Sequence, residues 1–198
     1  MMSSDHLVQF KTKLESLQGQ VHIVSTMEQA GDKAFDLCQS VSAHCIAIAK
    51  LSGPTQAALE RACTRSGTVL LGPDYTHRDL PQTMDRAEVG ISQADFAIAE
   101  TATLVEQTYD DAHRLVSSLP RVHIGIVSAD EFVSTLEEAA PRLRTFFDEA
   151  KEGCVVSFIS GPSRTGDIEL KLTLGVHGPE ITHAIVVTRP APESEHVR

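Results

Sequence analysis

Apolar residues recur at helical intervals in some segments of this chain and run together in short stretches in others. Leu7, Phe10, Leu14 and Leu17 share one helical face, which predicts a helix over 4–18. Val21-His22-Ile23-Val24 predicts a short strand. Ser25-Thr26-Met27-Glu28 has the spacing of a capping box and opens a helix to about Val41, which Gly31 weakens. Cys45 to Ala49 is the next strand. Pro54 opens a helix carrying Ala57, Ala58, Leu59 and Ala62, which Ser66-Gly67 ends. Thr68-Val69-Leu70-Leu71 is a strand closed by Gly72-Pro73, and residues 72–86 read as a loop with a short helix around Pro81 to Ala87.

Phe96-Ala97-Ile98-Ala99 and Ala102 to Glu106 form a close-set strand pair joined at Glu100-Thr101. Asp110 or Asp111 starts a short helix that Pro120 stops. Val122 to Val127 is the clearest strand. Ser128-Ala129-Asp130-Glu131 repeats the capping-box spacing and predicts a long helix to about Lys151, kinked or divided at Pro141. Cys154 to Ile159 and Thr182 to Val187 complete the strands. The expected organisation is one α/β domain over residues 1–189, with a polar, loose tail over 190–198.

Residues 160–176 fit two patterns. Ile168, Leu170, Leu172, Leu174 and Val176 alternate with polar residues and glycine, which is strand periodicity. Gly161-Pro162 breaks the preceding strand, Ser163 or Thr165 can cap a helix, and Ile168 with Leu172 keeps helical spacing. The helix, running to about Leu172, is the expectation. Strand, turn and helix start would then make an anion pocket, with the helix dipole worth about 1 kcal/mol. A hydrogen bond from the Arg164 guanidinium would be worth roughly 1.5–3 kcal/mol, so Arg164 would supply most of the affinity. The same residues fit a plain corner with a solvated arginine equally well.

Helices alternating with wholly apolar strands imply an α/β fold: an open, mainly parallel sheet with helices on both faces. Such sheets bind ligands beyond the carboxyl ends of their strands. Glu100, Ser128 and Ser160 to Arg164 all stand at strand ends and are expected to meet on one rim.

Composition narrows the functions. The 198 residues are 41% hydrophobic and 22% charged, as in a folded globular chain, with a net charge of −10. That charge disfavours nucleic acid and anionic membrane surfaces. No basic segment followed by an apolar one opens the chain, and no apolar run approaches ~20 residues, so neither secretion nor membrane insertion is expected and the cytoplasm is the expected location. Cys38, Cys45, Cys63 and Cys154 form no C-x-x-C motif and read as reduced thiols. No cofactor is expected to bind this chain directly, and any iron–sulfur cluster would belong to a partner.

Glu100-Thr101-Ala102-Thr103 places a carboxylate beside two hydroxyls at a strand end, a set suited to a base, a nucleophile or a substrate clamp. A glutamate that merely hydrogen-bonds the backbone of its own tight turn is the plainer alternative, and these residues alone favour it. Asp110 and His113 have a metal-ligand spacing, but they lack a convincing third ligand and also fit an ordinary helix start. No metal is expected. Gly175-Val176-His177-Gly178-Pro179 puts an imidazole in a turn. His22, His44, His123 and His183 lie in or beside strand starts and read as structural. There is no G-x-G-x-x-G, G-x-x-x-x-G-K-[ST] or G-x-S-x-G motif.

Four stretches together resemble the LUD-domain family: Ala87 to Thr103, Pro120 to Ile124, Ile159 to Glu169, and Leu174 to Pro179. The resemblance covers roughly residues 87–188 in specific motifs; the N-terminal half fits in general layout. It implies a fold akin to the sugar-phosphate isomerase and CoA-transferase group, and a subunit of an L-lactate dehydrogenase system of the iron–sulfur type that oxidises lactate to pyruvate beside partner proteins carrying the clusters. On this reading Glu100 is the catalytic candidate. Thr101, Thr103, Ser160, Gly161, Ser163, Arg164, Thr165, Asp167 and His177 line a site for a small anionic ligand. Two alternatives stand beside it: a stand-alone isomerase or acyl-CoA transferase using Glu100 as base or nucleophile, and a non-catalytic scaffold or sensor. The family usually has glycine where this chain has Ala102, so a positive φ there would strain the turn.

Overall fold

Neighbouring residues of the central strands face opposite ways, and their sizes differ. In β2 (Cys45–Ala49), Ile46 and Ile48 turn to one face while Ala47 and Ala49 turn to the other. The large side chains meet two long helices, α2 (Met27–Ser40) and α3 (Gly53–Ser66). The small ones let α4 (Leu80–Asp85) and α5 (Asp111–Ser118) come close. At Gly90 the approach is such that a Cβ would strike the carbonyl oxygen of Val116 in α5.

This computed structural model describes residues 4–75, 80–150, 153–168, 171–174 and 178–188. Six strands form a wholly parallel sheet in the order β1-β12-β7-β4-β2-β3. They are β1 (Gln20–Val24), β12 (Ile181–Val187), β7 (Val122–Ser128), β4 (Val89–Gln93), β2 and β3 (Val69–Leu71). The expected α/β architecture, a mainly parallel sheet with helices on both faces, is what the chain adopts. The helix boundaries follow local chemistry. Thr26 caps α2 by accepting from Gln29 N at 3.1 Å, one residue beyond the expected Ser25 start. Pro54 opens α3 and Gly67, at φ 76°, ends it. Asp110 caps α5.

A second, four-stranded sheet has the order β8-β5-β6-β9: β8 (Phe132–Val133), β5 (Phe96–Ile98), β6 (Thr103–Thr108) and β9 (Val155–Ile159). One of its faces packs Ala97 and Leu104 against Val127, Ala184 and Val186 of the parallel sheet, together with Phe10 and Leu14 of α1 (Ser4–Ser16). Its other face packs Phe96, Ile98 and Val105 under α6 (Leu136–Glu149). Among the described residues no helix is long and apolar enough to cross a membrane.

Four expectations need correction. Val89–Gln93, not read as a strand, is β4 at the centre of the parallel sheet. The long helix after Ser128 is instead a 3-10 turn at Ala129–Glu131, then β8, then α6, which Thr135 caps and which continues through Pro141. The helix from Thr165 is absent: β10 (Arg164–Ile168) and β11 (Lys171–Leu174) form an antiparallel hairpin, so the alternating pattern carried the signal. The strand ends at Glu100 and Ser160 belong to the second sheet, whereas Ser128 ends β7 of the first. The tail at 190–198 lies outside the described residues.

A buried polar contact ties the sheets together. Glu106 of β6 and His123 of β7 are 2% and 0% exposed. Ser92 of β4 donates to the Glu106 carboxyl and shares a 2.7 Å hydrogen bond with His123 Nε2. Burial raises the Glu106 pKa against the bonds from Ser92 and Ser117, and it lowers that of His123 to about 4, with His183 adding to the effect. His183 in turn lies 3.2 Å from His22 of β1.

Two outcomes follow for stability. The folded chain keeps His123 neutral at pH values where the unfolded chain takes up a proton. His123 therefore stabilises the fold above pH 6.5, and that stability drains away as pH falls towards about 4, by about 2 kcal/mol at pH 5. Glu106 works in reverse: the fold holds its proton above the ordinary 4.5, so the native residue costs stability as pH rises. Urea unfolding should show Glu106→Gln gaining on the native chain as pH rises above 4.5; a variant that loses ground as pH rises would contradict this. Ala102, fully buried, takes φ 51° in the turn between β5 and β6. Ala102→Gly should stay within about 0.5 kcal/mol, because relief of strain offsets the lost methyl and the added backbone freedom. Ala102→Val should cost more than about 2 kcal/mol, because a β-branched residue at positive φ is a genuine outlier. Equal midpoints for the valine and glycine variants would contradict the turn geometry.

Candidate functional site

β5 and β9 are each antiparallel to β6, so they run in the same direction on either side of it. Their carboxyl ends and the start of β6 therefore fall on one edge. Ile98 pairs with Thr103, and Leu104 with Ile159, which brings the turn after β5 level with Ser160.

Three hydroxyls make a row on that edge. Thr101 Oγ1 and Thr103 Oγ1 share a hydrogen bond of 2.8 Å, and Thr103 Oγ1 and Ser160 Oγ share one of 2.6 Å. Thr103, in the middle of the row, is buried, Thr101 is half-buried and Ser160 is exposed, so the Ser160 end reaches the surface. Each hydroxyl can turn to donate or accept, so the row can meet a carboxylate or phosphate oxygen without an unsatisfied buried group.

Glu100 follows β5 and is half-buried. Its Oε1 accepts from Leu136 N at 2.6 Å, at the first turn of α6, and its own N–H donates to the Ser134 carbonyl at 3.0 Å. A carboxylate suits the positive end of a helix. The plainer reading expected Glu100 to bond its own turn; it bonds the start of a different helix.

The basic half of the expected site is arranged differently. Gly161 takes φ 110°, and a Cβ there would lie 3.5 Å from Leu17, so the corner after β9 packs against the end of α1. The Arg164 guanidinium donates to the Leu17 carbonyl oxygen just past that end. A cation there complements the helix dipole and satisfies a carbonyl the helix leaves open. Ser163 N donates to the Pro179 carbonyl at 2.8 Å. Because β10 replaces the expected helix, no helix start points at this corner and the dipole part of the anion argument falls away. Thr165 and Asp167 lie on β10. His177 lies outside the described residues.

The structure thus gathers Glu100, Thr101, Thr103 and Ser160, and leads from Ser160 through Gly161 and Ser163 to Arg164 at the end of α1. Ser128 accepts from Asp130 N at 3.4 Å and starts the 3-10 turn. Asp110 caps α5 and contacts His113 Nδ1 at 2.6 Å, which is the helix-start reading. Among the described residues, no group of three or more His, Cys, Asp or Glu side chains is arranged to hold a metal. Cys38, Cys45 and Cys63 are buried free thiols, and burial pushes Cys38 up to about 12.

Sequence reasoning missed the Ser92–Glu106–His123 contact, although it read His123 as structural. The available signal was Glu106 itself, a carboxylate inside a strand whose six residues are all buried.

A family profile described as the LUD domain matches residues 7–187. Three similar proteins are each named lactate utilization protein C. The one from Shouchella clausii is 36% identical over 116 residues, covering 57% of this chain and 51% of its own length. The one from Exiguobacterium sp. is 42% identical over 95 residues, covering 48% and 41%. The one from Deinococcus radiodurans is 32% identical over 145 residues, covering 71% and 67%. The alignments thus span about half the length of the first two relatives. A crystal structure of a DUF162 family protein from Deinococcus radiodurans superposes with a TM-score of 0.67 and 26% sequence identity, over 93% of this chain and 97% of that one. With its family profile matched over nearly the whole length and its fold shared with that structure, the chain belongs to the LUD-domain family.

Proposed function

We propose that this chain serves L-lactate utilisation, as a subunit of a cytoplasmic system that oxidises lactate to pyruvate with iron–sulfur partner proteins, and that it holds a small anion at the edge shared by β5, β6 and β9. The hydroxyl row Thr101–Thr103–Ser160 carries this reading, since it links a buried strand start to the surface through groups that can all turn towards one anion. Glu100 beside it is fixed by the first turn of α6, and Ala102 holds the turn in a left-handed conformation. The names of the relatives supply the lactate context.

Growth on L-lactate tests the first half. In a bacterium lacking its own lactate utilization protein C, this chain should restore growth on L-lactate, and iron–sulfur proteins should co-purify with it. Failure of both would contradict the role. Calorimetry tests the second half. Thr103→Val combined with Ser160→Ala should weaken binding of pyruvate or L-lactate at least tenfold, about 1.4 kcal/mol; unchanged isotherms would remove the row as the binding site.

Charge roles separate in two further variants. Glu100→Gln keeps an oxygen for Leu136 N, so it should fold normally; loss of lactate-dependent growth with intact binding would make Glu100 chemical rather than positional. Arg164→Ala should lower unfolding free energy by about 1 kcal/mol through the freed α1 end, with pyruvate binding retained well below the transition. A tenfold binding loss at unchanged stability would instead make Arg164 the anchor.

A further inference from the structure

The second sheet ends on β9, whose one edge pairs with β6 and whose other edge pairs with no strand among the described residues. Such an edge offers a row of backbone donors and acceptors, and proteins normally blunt it with charges, proline or shortness. Among the other sheet ends β8 spans two residues and β3 three, while β1 is as long as β9. β9 spans five, and from Gly153 to Ser163 the sequence holds no charged residue, in a chain with 44 Asp, Glu, Lys and Arg (17 + 27). Val155 and Phe158 are 39% and 50% exposed. A cleft of about 480 Å³ opens where β9 begins, at the opposite end from the hydroxyl row, with Tyr109, Asp110, Cys154 and Val155 among its walls.

We propose that the free edge of β9 is a docking strand for an extended segment of a partner protein, one that alternates apolar residues and carries lysine or arginine at the end lying over the cleft. Strand addition draws affinity from backbone hydrogen bonds and selectivity from side-chain pockets beside the edge. The backbone row and the cleft supply both. Charge complementarity selects the basic partner. Asp110 and Asp111 line the cleft, partly balanced by His113 and Arg114. Gln107 and Cys154 both contact the Phe146 carbonyl, which brings the last turn of α6, with exposed Asp148 and Glu149, to the same end. A second copy of this chain has no charged residue on its own β9 to answer that acidic end, and it adds another net charge of −10. This surface is independent of the lactate reading, and its test uses no lactate.

The probes are two fluorescein-labelled peptides, Thr-Ile-Thr-Val-Thr-Val-Lys-Lys and the same sequence ending Glu-Glu, together with both in reversed order so that either strand direction is sampled. Fluorescence anisotropy with the full chain should show a basic peptide binding about tenfold or more tightly than its acidic counterpart, with the preference shrinking as salt rises. Bound basic peptide should slow amide hydrogen exchange over 155–159. Phe158→Lys and Val155→Lys, both at exposed positions, should each weaken binding about tenfold with unchanged unfolding midpoints. Equal binding of acidic and basic peptides, no binding, or protection elsewhere would overturn the proposal. So would sedimentation showing a dimer that Phe158→Lys dissolves, because the edge would then belong to a second copy.

Discussion

Glu106 sits in the middle of a strand with no access to water, so its carboxyl must be satisfied inside the protein. Ser92 of the parallel sheet donates to it, Ser117 adds a second bond, and His123, also of the parallel sheet, hydrogen-bonds Ser92. An unpaired buried carboxyl would cost several kcal/mol, and strand side chains alternate faces with a period of two. A slip of β6 by one residue would turn Glu106 towards α6 and Val105 towards the parallel sheet. The contact therefore fixes β6 in register and in depth. Everything on the edge follows from that register, because β6 lies between β5 and β9 and its first residue, Thr103, joins the hydroxyls of both neighbouring segments.

The two ends of β6 then differ in kind. At the Thr103 end the edge is polar and tightly bonded, with a hydroxyl row, a glutamate spent on a helix start and an alanine in a left-handed turn. At the Thr108 end the chain leaves a cleft, an exposed tyrosine and acidic side chains beside an unguarded strand edge. The first suits a small ligand, the second an extended polypeptide. Arg164 belongs to neither: its guanidinium closes α1 and so clips the β10–β11 hairpin to the N-terminal helix.

The parallel sheet was largely legible in the sequence because its strands are apolar on both faces and its helices carry clear caps and stops, such as Asp110 for α5 and Gly67 for α3. β4 was missed because Gly90 and Ser92 interrupt its apolar run; Gly90 is there for the close approach of α5 and Ser92 for Glu106, reasons that exist only in three dimensions. The stretch after Ser128 was misread because Phe132 and Val133 form a strand too short to show a period. Near Arg164 the local turn chemistry favoured a helix while the alternation over 168–176 favoured a strand, and the strand prevailed through pairing with β11. Of the candidate site, the grouping of Glu100, Thr101, Thr103 and Ser160 followed from motif positions at strand ends. That Glu100 would cap α6 and Arg164 would reach Leu17 was not legible, since both partners lie far away in sequence.

A crystal structure of the chain grown with saturating pyruvate tests the edge most directly. The expected result is pyruvate with its carboxylate within hydrogen-bond distance of the Thr103 or Ser160 hydroxyl, and the Thr103–Ser160 bond opened to receive it. Pyruvate ordered elsewhere on the molecule, with the three hydroxyls still bonded only to one another, would contradict it.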